Sequence, residues 1–287
     1  MPTLLVVGAG LFGSQAAAYA RLRGYETLVF DPGVEGSASP AAAGLFKEDW
    51  AGAKLQDHYH RALPVLEQLY GIRHVALSKD DGTQESFLFV PPTAILERDP
   101  IRERVTSVGD GWLEAAGRRH QGYVYIAAGV WTINFVANLR MTAKAGAAFT
   151  FPGEREGRIR PIDAGRQSIA FVRDEGATYF SDGTAETDYR AGHDRQTLER
   201  AESLGLTGPP LQRYWGRRPY LPGGPLFRRL RQRTWVATGG RKMGTILGAS
   251  FAQQLVDVEF GESSFSVRAA PRKGPPKTPA DPSAPGP

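Results

Sequence analysis

Apolar and polar residues alternate along this chain in three distinct rhythms. Leu4 to Val7 is a short unbroken apolar run, the form a parallel strand takes when both its faces are covered. Ser14 to Arg23 is rich in alanine and predicts a helix that Gly24 ends. Tyr25 to Phe30 predicts a second strand, with Asp31 at its end. Further on, "AGAKLQDHYHRALPVLEQLY" predicts a helix, after which the chain to Pro100 turns extended. Between Leu139 and Arg217 the rhythm has a period of two, as in "SIAFVRD" and "ATYFSDGTAETDY". Such alternation predicts antiparallel strands. Near the end, "TWVATGGRKMGTILGASFAQQLV" predicts a strand, a glycine-rich turn and a last helix. Leu247, Phe251, Leu255 and Val258 keep near-helical spacing there and are expected to pack inward.

The first strand runs directly into Gly8, Gly10 and Gly13, a G-x-G-x-x-G turn that also holds Leu11 and Phe12. Gly8 permits the tight turn, Gly10 lets the backbone approach a diphosphate, and Gly13 lets the helix pack on the strand. The helix then offers free N–H groups and a positive dipole end to the phosphates. Asp31, 18 residues past Gly13, stands where a carboxylate accepts hydrogen bonds from a ribose diol. Strand, glycines, helix, strand and acid in this order predict a dinucleotide cradle.

The stretch after the second strand, "GSASPAAAGLFKEDW", is built of small residues that let backbone amides come close to a ligand. With Ser39, Ala42, Ala43 and Gly44 it resembles the Ser/Ala-rich segment ending in Ala-Ala-Gly of the D-amino-acid oxidase and glycine oxidase family of FAD enzymes. "YVYIAAGVWT", with Ala128, Gly129 and Trp131, is similar to that family's strand ending in Ala-Ala-Gly-x-Trp. The final strand, turn and helix are similar to its last FAD segment, which implies cofactor roles for Gly240, Arg241, Gly244, Thr245 and Ile246. Val105 falls on the strand that the resemblance brings to the adenine. The stretch from Pro91 to Val105 is shorter than the family pattern.

The resemblance implies an α/β chain with a Rossmann-like FAD-binding domain and an interleaved antiparallel β-sheet substrate domain. The expected division gives residues 1–49, 101–138 and 219–267 to FAD binding, and 50–100 and 139–218 to the substrate. "YWGRRPYLPGG" resembles the family's Gly-x-Arg-Pro motif, so Arg218 is the implied carboxylate anchor, holding the substrate bidentately. Arg217 takes the place of a commoner apolar residue. "DGTAETDY" resembles a strand beside the substrate, which makes Tyr179 and Tyr189 candidate pocket residues. Lys47 and Lys242 are candidates for positions at the flavin.

Composition narrows the rest. No cysteine is present, which excludes disulfides, a thiol nucleophile and Cys-based metal sites. His58 and His60, at i and i+2 on a helix, diverge and predict no metal site. No stretch reaches the ~18 to 20 apolar residues of a membrane span. Leu4 to Ala20 lacks a basic leader, so a cytoplasmic protein is expected. The formal charge of +5 is concentrated in the Pro-rich end from Arg268 to Pro287, expected to be disordered. Seven arginines crowd Arg213 to Arg233 with no acid among them. Arg228, Arg229, Arg231 and Arg233, with Arg217, form either a solvated hairpin or a basic strip for a phosphate backbone, and the sequence leaves both open.

The expected reaction is oxidation of a C–N bond in an amino acid or N-substituted glycine with non-covalent FAD. Hydrolysis of the imine then releases an amine and a carbonyl. A glycine-type adduct on a nucleic-acid base is one candidate substrate. A flavin hydroxylase or dehydrogenase, or a catalytically silent FAD-binding module, are the alternatives.

Overall fold

A computed structural model describes residues 2–163, 166–187 and 191–261. In chain order the elements begin β1 (Thr3–Val7), α1 (Leu11–Leu22), β2 (Glu26–Phe30), β3 (Leu45–Phe46) and α2 (Glu48–Tyr70). There follow β4 (Arg73–Ser78), β5 (Gln84–Phe89), α3 (Pro92–Ile95), β6 (Val105–Gly109), β7 (Trp112–Ala115), β8 (Arg118–Gln121) and β9 (Tyr123–Ile126). A 3-10 turn at Gly129–Asn134 leads to β10 (Thr142–Pro152), β11 (Arg158–Asp163), β12 (Arg166–Asp174), β13 (Ala177–Ser181) and α4 (Ala191–Ser203). The chain closes with β14 (Gln212–Tyr220), β15 (Leu226–Arg231), β16 (Thr234–Thr238) and α5 (Gly244–Phe260).

These strands form three sheets. The first has five strands in the order β15-β16-β9-β1-β2, all parallel except β15. Ile101 extends its far edge by exchanging backbone hydrogen bonds with Val29 and Asp31. Leu4 and Val6 face helices α1, α2 and α5, while Leu5 and Val7 face a three-stranded sheet of β6, β7 and β8. Both faces are covered, which is why β1 reads as an unbroken apolar run.

The third sheet has eight strands in the order β14-β10-β13-β12-β11-β4-β5-β3. Its alternating residues divide between two packed faces. Phe171 and Tyr179 join Leu77, Phe87 and Phe89 in one core, and their neighbours Ala170 and Phe180 join Phe149 and α4 residues in another.

Three sequence expectations meet a different arrangement. Residues 50–70, expected with the substrate half, form most of α2, and Tyr59, Ala62, Val65 and Leu66 bury into the core under the five-stranded sheet. Only β4 and β5 of the 50–100 stretch join the eight-stranded sheet. Val258 is 58% exposed, although Leu247, Phe251 and Leu255 are buried, because the last turn of α5 is packed through Glu259, against Trp235, and Phe260, against Tyr25 and Tyr123. "DGTAE" is a turn rather than a strand. Buried Asp182 accepts from the Thr184 amide at 2.9 Å and from Thr197 Oγ1 at 3.1 Å, and only Glu186 bridges back to Ala145. Tyr189 and the stretch Arg268–Pro287 lie outside the described residues.

Candidate functional site

The carboxyl ends of β1, β2, β9 and β16 all open on one cavity of about 820 Å³. That is near the top of the ~300–1,000 Å³ span of small-molecule sites. Ligands of open α/β sheets gather at this end because loops and helix N-termini converge there.

The glycine turn shows why its sequence is constrained. Gly8 has φ +105°, a conformation that disfavours a side chain. A Cβ on Gly13 would lie 1.8 Å from the Gly8 carbonyl oxygen, so α1 seats against the turn only because Gly13 has none. Gly10 caps α1 without a side-chain bond. The Leu11 amide instead donates to Ser39 Oγ at 3.0 Å, tying the small-residue loop to the helix N-terminus. Asp31 accepts from the Ala9 amide at 2.7 Å and from the Gly33 amide at 2.8 Å, which fixes the carboxylate at the cavity wall. The N-terminus of α5 also opens on the cavity through Met243, Gly244 and Thr245, with no side-chain cap. Two helix ends, α1 with one amide taken by Ser39 and α5 without a side-chain cap, therefore present positive poles to one space.

Most residues singled out from the sequence line this cavity. Gly8, Gly10, Leu11, Phe12, Asp31, Ser39, Ala42, Ala43, Gly44, Val105, Ala128, Gly129 and Trp131 do so from the nucleotide side. Gly240, Arg241, Gly244 and Thr245 close it from the last turn and helix. Gly13 and Ile246 stand behind the wall as packing residues.

The opposite wall belongs to the eight-stranded sheet. Arg218, on edge strand β14, lines the cavity, and its guanidinium makes no hydrogen bond or ion pair among the described residues. Lys242 lines it too. Burial, then the nearby charges of Arg218 and Arg166, hold its pKa below the ordinary lysine value, against a smaller pull from Asp163. Arg166 is ion-paired to Asp163, and both reach the cavity. These two residues carry no motif, and only the β11–β12 hairpin register brings them to the site.

Two candidates have other duties. Tyr179 lines the cavity but is 1% exposed, and its hydroxyl donates to the Ala41 carbonyl at 2.7 Å. Burial raises its pKa, against opposing pulls from Arg173 and Arg218. Lys47 is not a lining residue. It is ion-paired to Glu85 at 2.5 Å under the Phe87 ring. Burial lowers its pKa, but the bonds to Glu85 and Asp49 outweigh that and leave it raised.

One site-building residue went unread in the sequence. Arg173 is 3% exposed and donates to the carbonyls of Pro40 and Ala42 at 3.0 and 3.1 Å. Its guanidinium lies between the rings of Tyr179 and Tyr214, 4.5 and 4.6 Å from their centroids. Together Arg173 and Tyr179 engage three consecutive carbonyls of the small-residue loop.

The arginine-rich hairpin leads away from the cavity. Leu226 pairs with Thr238 at the cavity end of β16, whereas Arg231 pairs with Thr234 at the far end. A register shift between Arg229 and Arg231 breaks the single face expected of a regular strand. Arg229 is ion-paired to Glu259, and none of Arg228, Arg229, Arg231 and Arg233 lines the cavity. No group of three or more His, Cys, Asp or Glu among the described residues is placed to hold a metal ion. No helix among them is long and apolar enough to cross a membrane.

No protein-family model matches the chain, and no curated protein matches it significantly. Solved structures do. Iminodiacetate oxidase from Chelativorans sp. BNC1 superposes with a TM-score of 0.68 at 16% identity, over 90% of this chain and 95% of that one. Glycine oxidase from Geobacillus kaustophilus gives 0.66 at 16% identity over 93% and 98%. A FAD dependent oxidoreductase from Pseudomonas aeruginosa gives 0.60 at 14% identity over 90% of each chain. The fold of this chain is thus the one shared by an iminodiacetate oxidase, a glycine oxidase and a FAD dependent oxidoreductase.

Proposed function

We propose that the chain is a FAD-dependent oxidoreductase acting on the C–N bond of an amino acid or N-substituted glycine. The observation that carries this reading is the cavity itself. It joins a Gly8–Gly13 cradle and the ribose-side carboxylate of Asp31 to an arginine, Arg218, held on the opposite sheet. The residues fit the cofactor: a Cβ on Gly8 or Gly13 would strike the backbone of Ala127 or Gly8, so the glycines let the turn close tightly at the cavity, and two helix N-termini supply positive potential. On this reading the parallel sheet with α1 is the Rossmann-like nucleotide half, and the eight-stranded sheet is the substrate half.

Bound FAD would supply the hydride acceptor for the carbon beside the amine. The chain's own residues do the rest. Gly8, Gly10 and the α1 amides would hold the diphosphate, and Asp31 the ribose. Ala42 to Gly44, with the α5 N-terminus, would border the ring, where the dipole favours negative charge. Arg218 would grip the substrate carboxylate through a planar fork, fixing the C–N bond in one orientation. Lys242 sits in the same wall, its pKa held below the ordinary lysine value by burial and then by the charges of Arg218 and Arg166.

A small substrate suits this geometry better than a polynucleotide. A glycine-type adduct on a base would need phosphate contacts beside the mouth, and Arg228, Arg229, Arg231 and Arg233 run to the other end of the sheet. The test is product analysis with glycine, sarcosine and iminodiacetate, scoring carbonyl and released amine with dioxygen or an artificial acceptor. Turnover that Arg218→Met lowers at least ~30-fold in kcat/KM, with flavin content unchanged, supports the reading. Absence of turnover on every carboxylate amine by a flavin-loaded protein contradicts it in favour of a silent module. A requirement for reduced nicotinamide would favour a hydroxylase.

A further inference from the structure

Arg217 is the one residue of the arginine motif that the proposed chemistry leaves without a task. Its neighbour Arg218 suffices for one carboxylate, and along a strand successive side chains point to opposite faces. Arg217 nevertheless lines the same cavity. Its guanidinium lies 5.0 Å from the Trp131 ring centroid and 5.7 Å from that of Trp215. Its Nε is buried with no hydrogen-bond partner, and no acid pairs with it among the described residues.

That combination is unusual. A buried guanidinium nitrogen without an acceptor carries an uncompensated desolvation cost, greater for a charged group than for a neutral one. Arg166 has Asp163, Arg241 has the Leu221 carbonyl, and Arg173 behind the loop has Asp174 and two carbonyls, whereas Arg217 and its neighbour Arg218 have no acceptor among the described residues. Arg217 has aromatic faces instead. Two such rings fix the plane of the guanidinium and leave its in-plane donors for an anion. The backbone places it beside the nucleotide side, since its amide donates to the Gly36 carbonyl at 2.9 Å and it bridges Ser37. Two residues further on, Ser39 is bonded to the N-terminus of α1.

We infer that Arg217, clamped between Trp131 and Trp215, is a second anion-binding residue of the cavity that takes an oxyanion on the face of β14 opposite Arg218. The oxyanion is either the diphosphate of the bound dinucleotide or a second acidic group on the amine substrate. In both cases the guanidinium offers paired N–H donors to two oxygens of one group. The inference builds on the proposed function for the identity of its ligand, but not for the existence of the site.

The flanking indoles make the site observable. Tryptophan fluorescence of the flavin-free protein is titrated with inorganic pyrophosphate, then with FAD. The flavin-loaded protein is titrated with iminodiacetate and with sarcosine, followed by flavin absorbance. Wild type, Arg217→Met, Arg217→Lys and Arg218→Met are compared, with thermal melts confirming that each folds. Pyrophosphate is expected to perturb the fluorescence of wild type and Arg218→Met alike. It should bind Arg217→Met at least ~10-fold more weakly, which is ~1.4 kcal/mol. Arg217→Lys, which keeps the charge but not the fork, should fall between them. If FAD weakens in parallel with pyrophosphate while iminodiacetate does not, the oxyanion is the cofactor's diphosphate. If iminodiacetate alone weakens relative to sarcosine, it is the substrate's second carboxylate. Unchanged affinity of Arg217→Met for pyrophosphate, FAD and iminodiacetate overturns the inference. A wild type that binds pyrophosphate but never FAD overturns the proposed function and leaves the anion site standing.

Discussion

Replacing Arg173 with methionine tests how the small-residue loop is held. Methionine is nearly as long, unbranched and adaptable, so it fills much of the same volume. What it removes is the guanidinium, with its bonds to Pro40 and Ala42 at 3.0 and 3.1 Å, its 2.8 Å bond to Asp174, and its place between two tyrosine rings. The carbonyls of exposed Pro40 and half-buried Ala42 lose their donor, and Asp174, whose side chain is 32% exposed, loses its counter-charge, so the cost lies at the low end of the range for a buried network. Breaking a buried charged network from one side costs about 3–5 kcal/mol. With a urea m-value of about 3 kcal/mol/M, the midpoint should fall by roughly 1 M or more. The consequence reaches the site, because Ala41 and Ala42 line the cavity. FAD affinity, measured by flavin fluorescence, should weaken at least ~10-fold. Tyr179→Phe gives a graded control, removing one 2.7 Å bond to Ala41 for about 1–3 kcal/mol. An Arg173→Met protein within ~1 kcal/mol of wild type and with unaltered FAD affinity would refute the reasoning.

Other expectations follow from the same geometry. Gly13→Ala places a Cβ 1.8 Å from the Gly8 carbonyl oxygen, so the purified variant should lose flavin retention, read as the ratio of flavin to protein absorbance. A wild-type ratio would show that α1 does not depend on this contact. Arg229→Ala strips the ion pair from Glu259, whose side chain is 5% exposed, and should lower stability by about 1 kcal/mol without affecting FAD or oligonucleotide binding. A salt-dependent loss of oligonucleotide binding would instead restore the basic strip. For Lys242 the folded pKa lies below the ordinary value of 10.5. Between the folded and unfolded values the unfolded chain binds more protons, so wild-type stability should rise with pH in that alkaline window. Lys242→Met should remove that rise in denaturation curves taken at stepped pH, and an identical pH dependence in both proteins would contradict the burial assigned to it.

The glycine turn and the strand before it were legible because their constraints are local. A carbonyl 1.8 Å from a would-be Cβ leaves the sequence one choice, and a strand covered on both faces has nowhere for a polar residue. The loop from Ser39 to Gly44 was legible through its small residues and a resemblance. Arg173 was not, since its partners at Pro40 and Ala42 stand more than 130 positions away and only the register of β12 against β13 and the loop brings them together. Tyr179 looked like a pocket hydroxyl until the loop carbonyl that occupies it was in view. The arginines of β15 gave a charge count but no direction. The antiparallel return of that strand decides that they run away from the cavity, and Glu259, far on in the sequence, claims one of them. Val258 keeps the helical period of α5, but a period cannot say which side of the last turn has partners, and there Glu259 and Phe260 take them.

The central claim is that this cavity holds FAD and presents a carboxylate-bearing amine to it. Anaerobic titration of the FAD-loaded protein with glycine, sarcosine and iminodiacetate, followed by flavin absorbance, tests it most directly. The account predicts bleaching of the oxidised flavin band by at least one of these amines, and markedly slower bleaching in Arg218→Met. A protein that takes up no FAD, or one whose flavin no carboxylate amine reduces, would contradict it.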